Sequence, residues 1–266
     1  MTNSRNNPLG VFDSGLGGLT VVKEIIRQLP SEDIIYYGDT ARVPYGTKSK
    51  ESIIRFSREN VKVLLKHKVK MIVVACNSSS SYALEILRKE FKVPIIGVIG
   101  AGAKKAAAST RNNRVGVIAT SATIASGQYI KTVKRYKRSV KVFSQACPLF
   151  VPLVEEGWSH KPVASDIAKD YLWPLKKSGV DTLILGCTHY PLLKNILQKV
   201  MGPKTLLVDS AHEIAREVTR LLDETESRCQ LKRAARYQFL ISDQPQGFQA
   251  IAKRFLGKNI KVVCHA

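Results

Sequence analysis

The sequence predicts an α/β protein of two similar lobes, each a small parallel β-sheet flanked by helices, with the active site in the cleft between them. Three observations carry this. Short β-rich apolar runs alternate with longer amphipathic stretches, the pattern of a parallel sheet covered by helices. The order of the first half returns in the second. Polar clusters follow the ends of the apolar runs, where open parallel sheets bind ligands.

The apolar runs in the first half are 9–12, 34–37, 71–75 and 95–99. Those in the second half are 115–119, 140–144, 182–185 and 206–208. Each is too short for a helix and is rich in Val and Ile. The intervening stretches 19–29, 52–66 and 81–91 carry helical spacing. Thr120 follows Asp13 by 107 positions, Gln145 follows Gly38 by 107, and Cys187 follows Cys76 by 111. From about residue 211 the tail reads helix, strand, helix, strand. We therefore expect a first lobe from residues 1–98 plus 210–266 and a second from 99–209. No Pro/Gly/Ser-rich linker separates them, so the junctions should be short.

The chain has 266 residues, 44% hydrophobic and 24% charged, with the apolar residues spread throughout. That excludes a disordered chain and suffices for a sizeable core. The start, MTNSRNNPLG, has no apolar signal region. The weakly polar run 93–103 is broken by Pro94, Gly97, Gly100 and Gly102, well short of the ~20 residues of a membrane helix. A soluble, cytoplasmic protein with no membrane partner is expected. The five cysteines are Cys76, Cys147, Cys187, Cys229 and Cys264; none forms a CxxC pair. Neither a disulfide framework nor a metal site is expected. The net charge of +21 raises the question of nucleic acid. Basic clusters at 62–70, 104–114, 131–141 and 228–236 carry no helix-turn-helix, zinc-finger or RNP pattern, and aromatics do not interleave with them. They read as solvated helix faces.

Taken alone, Cys76 or Cys187 reads as core. Two thiols at equivalent strand ends of a repeat point to chemistry. Inversion of a stereocentre by proton exchange needs such a pair: one base removes the α-proton from one face, and a conjugate acid protonates the other. A thiol near pKa ~8.5 is only a few per cent ionised at neutral pH, so each needs help. A helix start after Cys76 would lower its pKa. Asp13 is the candidate helper on the first side and His189 on the second. The turn Asp13-Ser14-Gly15-Leu16-Gly17-Gly18 lets backbone approach an anion, and Ser14 could cap the helix. It fits neither a dinucleotide nor a P-loop spacing; a small carboxylate suits it. Pro44-Tyr45-Gly46, Asn77, Ser78 and Thr188 offer further donors for a zwitterion. A buried ammonium would want Asp13, Glu155 or Glu156.

DSGLGG at 13–18, GDTARVPYG at 38–46, ACNS at 75–78, CPLFVPLVEEG at 147–157 and GCTHYPLL at 186–193 together resemble bacterial glutamate racemase. The resemblance runs from about residue 9 to 209, and 237–257 resembles that family's end. Its wider relatives include aspartate racemases. It implies cofactor-independent interconversion of L- and D-glutamate, the latter for peptidoglycan, by a homodimer. It implies that Cys76 and Cys187 are the catalytic acid/bases. It implies that Asp13, Ser14, Pro44, Tyr45, Gly46, Asn77, Ser78, Thr188 and His189 line the substrate site. A glutamate of the VEEG segment assists in the family; Glu156 is taken here, with Glu155 open. Ser78 departs from the family's usual Thr, which keeps the hydroxyl and loses the methyl. Aspartate is the nearest rival substrate. A nucleic-acid-binding protein is the rival of another class. An inactive binding module is a third reading, and the intact cysteine pair argues against it.

Overall fold

The computed structural model describes residues 4–244, 248–257 and 259–264. Residues 1–3, 265 and 266, at the limits of the expected first lobe, and 245–247 and 258 of its tail lie outside the described residues. In the first half, β1 (Leu9–Asp13), α1 (Leu19–Gln28), β2 (Ile34–Gly38), α2 (Lys50–Leu65) and β3 (Met71–Val74) follow one another. Then come α3 (Asn77–Tyr82), α4 (Leu84–Glu90) and β4 (Ile95–Gly97). In the second half, α5 (Val98–Ser109) leads into β5 (Arg114–Ala119), α6 (Ser121–Ala125), α7 (Gln128–Tyr136) and β6 (Lys141–Ala146). After these come α8 (Phe150–Glu155), α9 (Pro162–Lys177), β7 (Thr182–Gly186), α10 (Lys194–Met201) and β8 (Leu206–Asp209). The tail is α11 (Ser210–Glu224), β9 (Tyr237–Ile241), α12 (Phe248–Leu256) and β10 (Val262–Cys264).

The strands form two parallel sheets, ordered β10-β9-β2-β1-β3-β4 and β6-β5-β7-β8. Stripped of the two tail strands, the first order is the second order in its own numbering, so the sequence repeat is a structural repeat. Pairing is parallel throughout. Parallel strands buried on both faces need apolar residues at every position, and β1, β2, β3 and β7 are buried at every residue.

Register sets what stands at the cleft. Asp13 pairs with Gly38 and Phe12 with Val74, so Asp13, Asp39 and Cys76 leave the first sheet at one edge. Ala119 pairs with Ala146 and with Gly186, so Thr120, Cys147 and Cys187 leave the second sheet together. Helix α11 packs against both α1 and α5, and α5 packs on β7 and β8 of the second sheet. The largest core cluster joins Leu19 and Val22 to Ile214 and Val218 and on to Leu183 and Leu185, so apolar packing is continuous between the lobes.

Four local expectations are corrected. The run 95–99 stops as a strand at Gly97, and Val98 and Ile99 open α5. The helix after Cys76 starts at Asn77, ahead of the expected 81–91 stretch, and is interrupted at Ala83. Cys187 leads into a 3-10 turn at Tyr190–Leu193, not directly into an α-helix. Ser14 does not cap α1; Gly18 occupies that position without a side-chain bond.

Candidate active site

A cavity of about 100 Å³ lies between the two edges. The first lobe lines it with Ser14, Pro44, Tyr45, Gly46, Cys76, Asn77 and Ser78, and the second with Cys187, Thr188 and His189. A larger cavity of about 350 Å³, near Arg88, Lys104 and Arg135, holds neither of these cysteines.

Cys76 is 5% exposed and Cys187 7% exposed, so both sulfurs are withdrawn from bulk water while bordering one small space. Burial pushes the Cys76 thiol up to about 11, and the nearby Asp13 charge adds to the shift. Hydrogen bonds from Ser79 and Ser14 oppose it without winning. The expected lowering by a helix start is thus overridden by desolvation. At neutral pH Cys76 is therefore held as a thiol.

On the other side, His189 Nδ1 lies 3.7 Å from Cys187 Sγ and Nε2 lies 2.8 Å from Glu155 Oε1. Burial alone would lower the imidazole pKa, but its bonds to Cys187 and Glu155, with their charges, raise it to about 10. His189 therefore keeps its proton at neutral pH and sets a positive charge beside the Cys187 sulfur. The carboxylate that bonds His189 is that of Glu155; Glu156 is exposed, one residue further round the end of α8. A step of ~100° per residue turns neighbouring side chains to different faces. Phe255 of α12 closes the imidazole from one side, edge-on at 5.1 Å between ring centres, and Arg254 Nη1 donates to the Glu155 carbonyl at 2.5 Å.

Asp13 is 1% exposed and does not border the cavity. Its Oδ2 accepts from the N–H groups of Gly15 (3.2 Å) and Gly18 (3.0 Å). The glycine turn thus cradles the protein's own carboxylate, not a ligand anion. Burial raises the Asp13 pKa despite the His189 charge and those N–H groups. Its Oδ1 has no partner, and neither has Asn77 Nδ2. Of the two, Asn77 borders the cavity, and its unpaired donor is what a ligand carboxylate would satisfy.

Close approach fixes the rest. A Cβ on Gly17 would stand 2.2 Å from Thr188 Oγ1 and 2.6 Å from the His189 ring, and one on Gly46 would stand 2.8 Å from Thr120 Cβ. Both glycines are points where one lobe touches the other. The Tyr45 hydroxyl donates to buried Asp39 and accepts from Asn60 Nδ2 at 3.2 Å, so it anchors its loop instead of facing a ligand. Ser78 Oγ bonds Thr120 Oγ1 at 3.0 Å and Thr123 Oγ1 at 3.3 Å. Sequence reasoning had not placed Thr120, Val151 or Pro152 on the wall, nor Phe255 on His189. For Thr120 a signal existed, since the repeat sets it opposite Asp13. The other three lie inside the segments 147–157 and 237–257 that carry the resemblance, but nothing in those segments singles them out.

A family model described as Asp/Glu/Hydantoin racemase matches residues 9–218. The chain is 51% identical to a glutamate racemase of Geobacter metallireducens, over 94% of this chain and 92% of that one. Among solved structures, a glutamate racemase isoform of Bacillus anthracis superposes with a TM-score of 0.95 at 39% identity, covering 98% of each chain. One from Francisella tularensis, in complex with D-glutamate, does so at 0.93 and 37% identity, also covering 98% of each. An aspartate racemase of Picrophilus torridus, at 18% identity and a TM-score of 0.57, shares the fold alone. Ordered motifs, paired sheets and full-length likeness agree: the chain belongs to the Asp/Glu/hydantoin racemase family and, within it, to the glutamate racemases.

Proposed function

We propose that the chain interconverts L- and D-glutamate by two-base proton exchange, with Cys76 and Cys187 on opposite faces of the substrate. The observation that carries this is the pair of buried thiols, from equivalent strand ends of opposite lobes, on one cavity of about 100 Å³. In one direction a thiolate takes the Cα proton and the electron pair stays on the substrate as a carbanion. The opposite thiol then gives its proton to the other face and becomes the thiolate. The reverse direction exchanges the roles. The charge of His189 offsets the negative charge that passes through Cys187, and Glu155 holds the imidazole in place. Asn77 pairs with the carboxylate, while Ser14, Ser78, Thr188 and the loop 44–46 complete the site; Asp13, behind them, holds the glycine turn through the Gly15 and Gly18 N–H groups. The complex of the Francisella relative with D-glutamate supports glutamate as the substrate.

Cys76→Ala or Cys187→Ala should abolish racemisation, followed by optical rotation or enantiomer separation. Near-normal turnover in either variant would sink the two-base reading. Turnover of aspartate alone would sink glutamate as the substrate. The same proposal has D-glutamate feeding peptidoglycan from the cytoplasm: depletion of the protein should make growth depend on added D-glutamate. A homodimer completes the reading; exposed Leu149, Trp158 and Trp173 support self-association, which sedimentation would measure.

A further inference from the structure

Asn77 directly follows Cys76, is 4% exposed and borders the cavity. Its Oδ1 accepts a 2.7 Å hydrogen bond from the Tyr129 hydroxyl, and its Nδ2 has no partner. Tyr129 stands on α7 in the opposite lobe and is 2% exposed. Its oxygen is also 3.1 Å from Ser210 Oγ, at the first residue of α11. Ser210 in turn donates to the Leu185 carbonyl at 3.1 Å, two residues before Cys187.

A side-chain amide presents an acceptor on one edge and donors on the other, and a half-turn exchanges them. With Nδ2 unpartnered, the phenol is the group that selects between the two orientations. We propose that Tyr129 is a positioning residue: by holding Oδ1 it fixes the Asn77 amide with Nδ2 facing the cavity, as a donor to a substrate carboxylate. Because the phenol comes from the second lobe, that donor is aligned only when the lobes are together. The proposal rests on the racemase reading above, and names how its substrate site is assembled.

The test is Tyr129→Phe, which keeps the ring packed where a Cβ on Gly186 would meet it at 3.0 Å. KM for glutamate should rise about 5–10-fold, the scale of one misaligned hydrogen bond, with kcat within about twofold. In an Asn77→Ala background, which raises KM by itself, Tyr129→Phe should add nothing. An unchanged KM, a fall in kcat alone, or additive effects in the double variant would overturn the proposal, because a purely structural tyrosine acts independently of Asn77. If Tyr129→Phe does not fold, Asn77→Asp, which keeps an acceptor for the phenol and replaces the Nδ2 donor by an oxygen, should raise KM for glutamate by at least about 5-fold; no rise overturns it. Wild-type turnover in the same assay separates the two levels. No racemisation there defeats the function, whereas racemisation with an additive cycle defeats only the role of Tyr129.

Discussion

His189 carries an ordinary side chain into an extraordinary balance. Burial works against its charge, yet Cys187 and Glu155 hold its pKa at about 10, above the unfolded 6.5. A raised pKa in the folded state stabilises fully below the unfolded value and loses that contribution as pH rises through the folded one. Glu155→Gln removes one of the two supports, so His189 should release its proton at lower pH. The alkaline limb of the activity profile should move toward neutral, with turnover at pH 8 down about 10- to 100-fold. The melting temperature of the variant should lie below that of wild type most strongly near neutral pH, and the gap should close as pH passes 10. A limb that stays in place would show that Glu155 does not set the charge of His189. That Cys76, Cys187 and His189 stand at one cavity was legible in the sequence because the repeat and the motifs mark them. The acidity of Cys76 was not: a helix start is visible in a sequence, whereas the desolvation that outweighs it belongs to the packed cleft. Glu155 and Glu156 could not be separated either, since α8 is only six residues long and contains Pro152, too little to fix its phase.

At the scale of elements, the alternating runs and their order emerge as drawn, because strand burial on both faces writes itself into the sequence as Val and Ile. The errors fall where a residue's propensity and its setting disagree. Val98 and Ile99 are β-formers that the chain uses to open α5 beneath the lobe junction. Asn77 to Ser81 are weak helix formers, but Ser80 Oγ donates to the Val74 carbonyl and Ser81 Oγ to that of Ser78, which fits them to a first turn. Two glycines test the contact between lobes. Gly17→Ala drives a methyl into Thr188 and the His189 ring and should cut turnover by at least 10-fold. Gly100→Ala meets nothing within 4 Å inside α5 and should stabilise by about 0.5–1 kcal/mol with activity unchanged. Equal activity in the two variants would show that the close approach is not needed for function. The tail contributes through α12: Phe255→Ala removes a side chain that is 1% exposed and should cost about 3–5 kcal/mol in urea unfolding. It should also lower turnover in the fraction that stays folded, because it opens His189 to water.

The whole molecule has one property that neither lobe needs for folding: a net charge of +21. The fold places the basic runs only partly on helix faces: Lys134 and Arg135 stand on the last turn of α7, a position that favours cations at a helix C-terminus, whereas 228–236 is irregular chain between α11 and β9, where Arg228 pairs with Asp223 and Arg233 with Asp33. Their sum is a positive field around a protein whose proposed substrate is a dicarboxylate carrying net negative charge. Such a field raises the local concentration of the anion and its encounter rate, and it fades as the Debye length falls from about 10 Å at 0.1 M salt to about 3 Å at 1 M. The chemical step takes place in a cavity of about 100 Å³ among buried groups, which salt screens far less. The expected result is therefore split between the two kinetic constants. From 0.02 to 0.5 M NaCl, kcat/KM for glutamate should fall several-fold while kcat holds within about twofold. Neutral osmolyte at equal osmotic strength should leave both unchanged. A parallel fall in both constants would place the salt effect in the catalytic groups or in the joining of the lobes, and a flat kcat/KM would leave the charge without a part in capturing substrate.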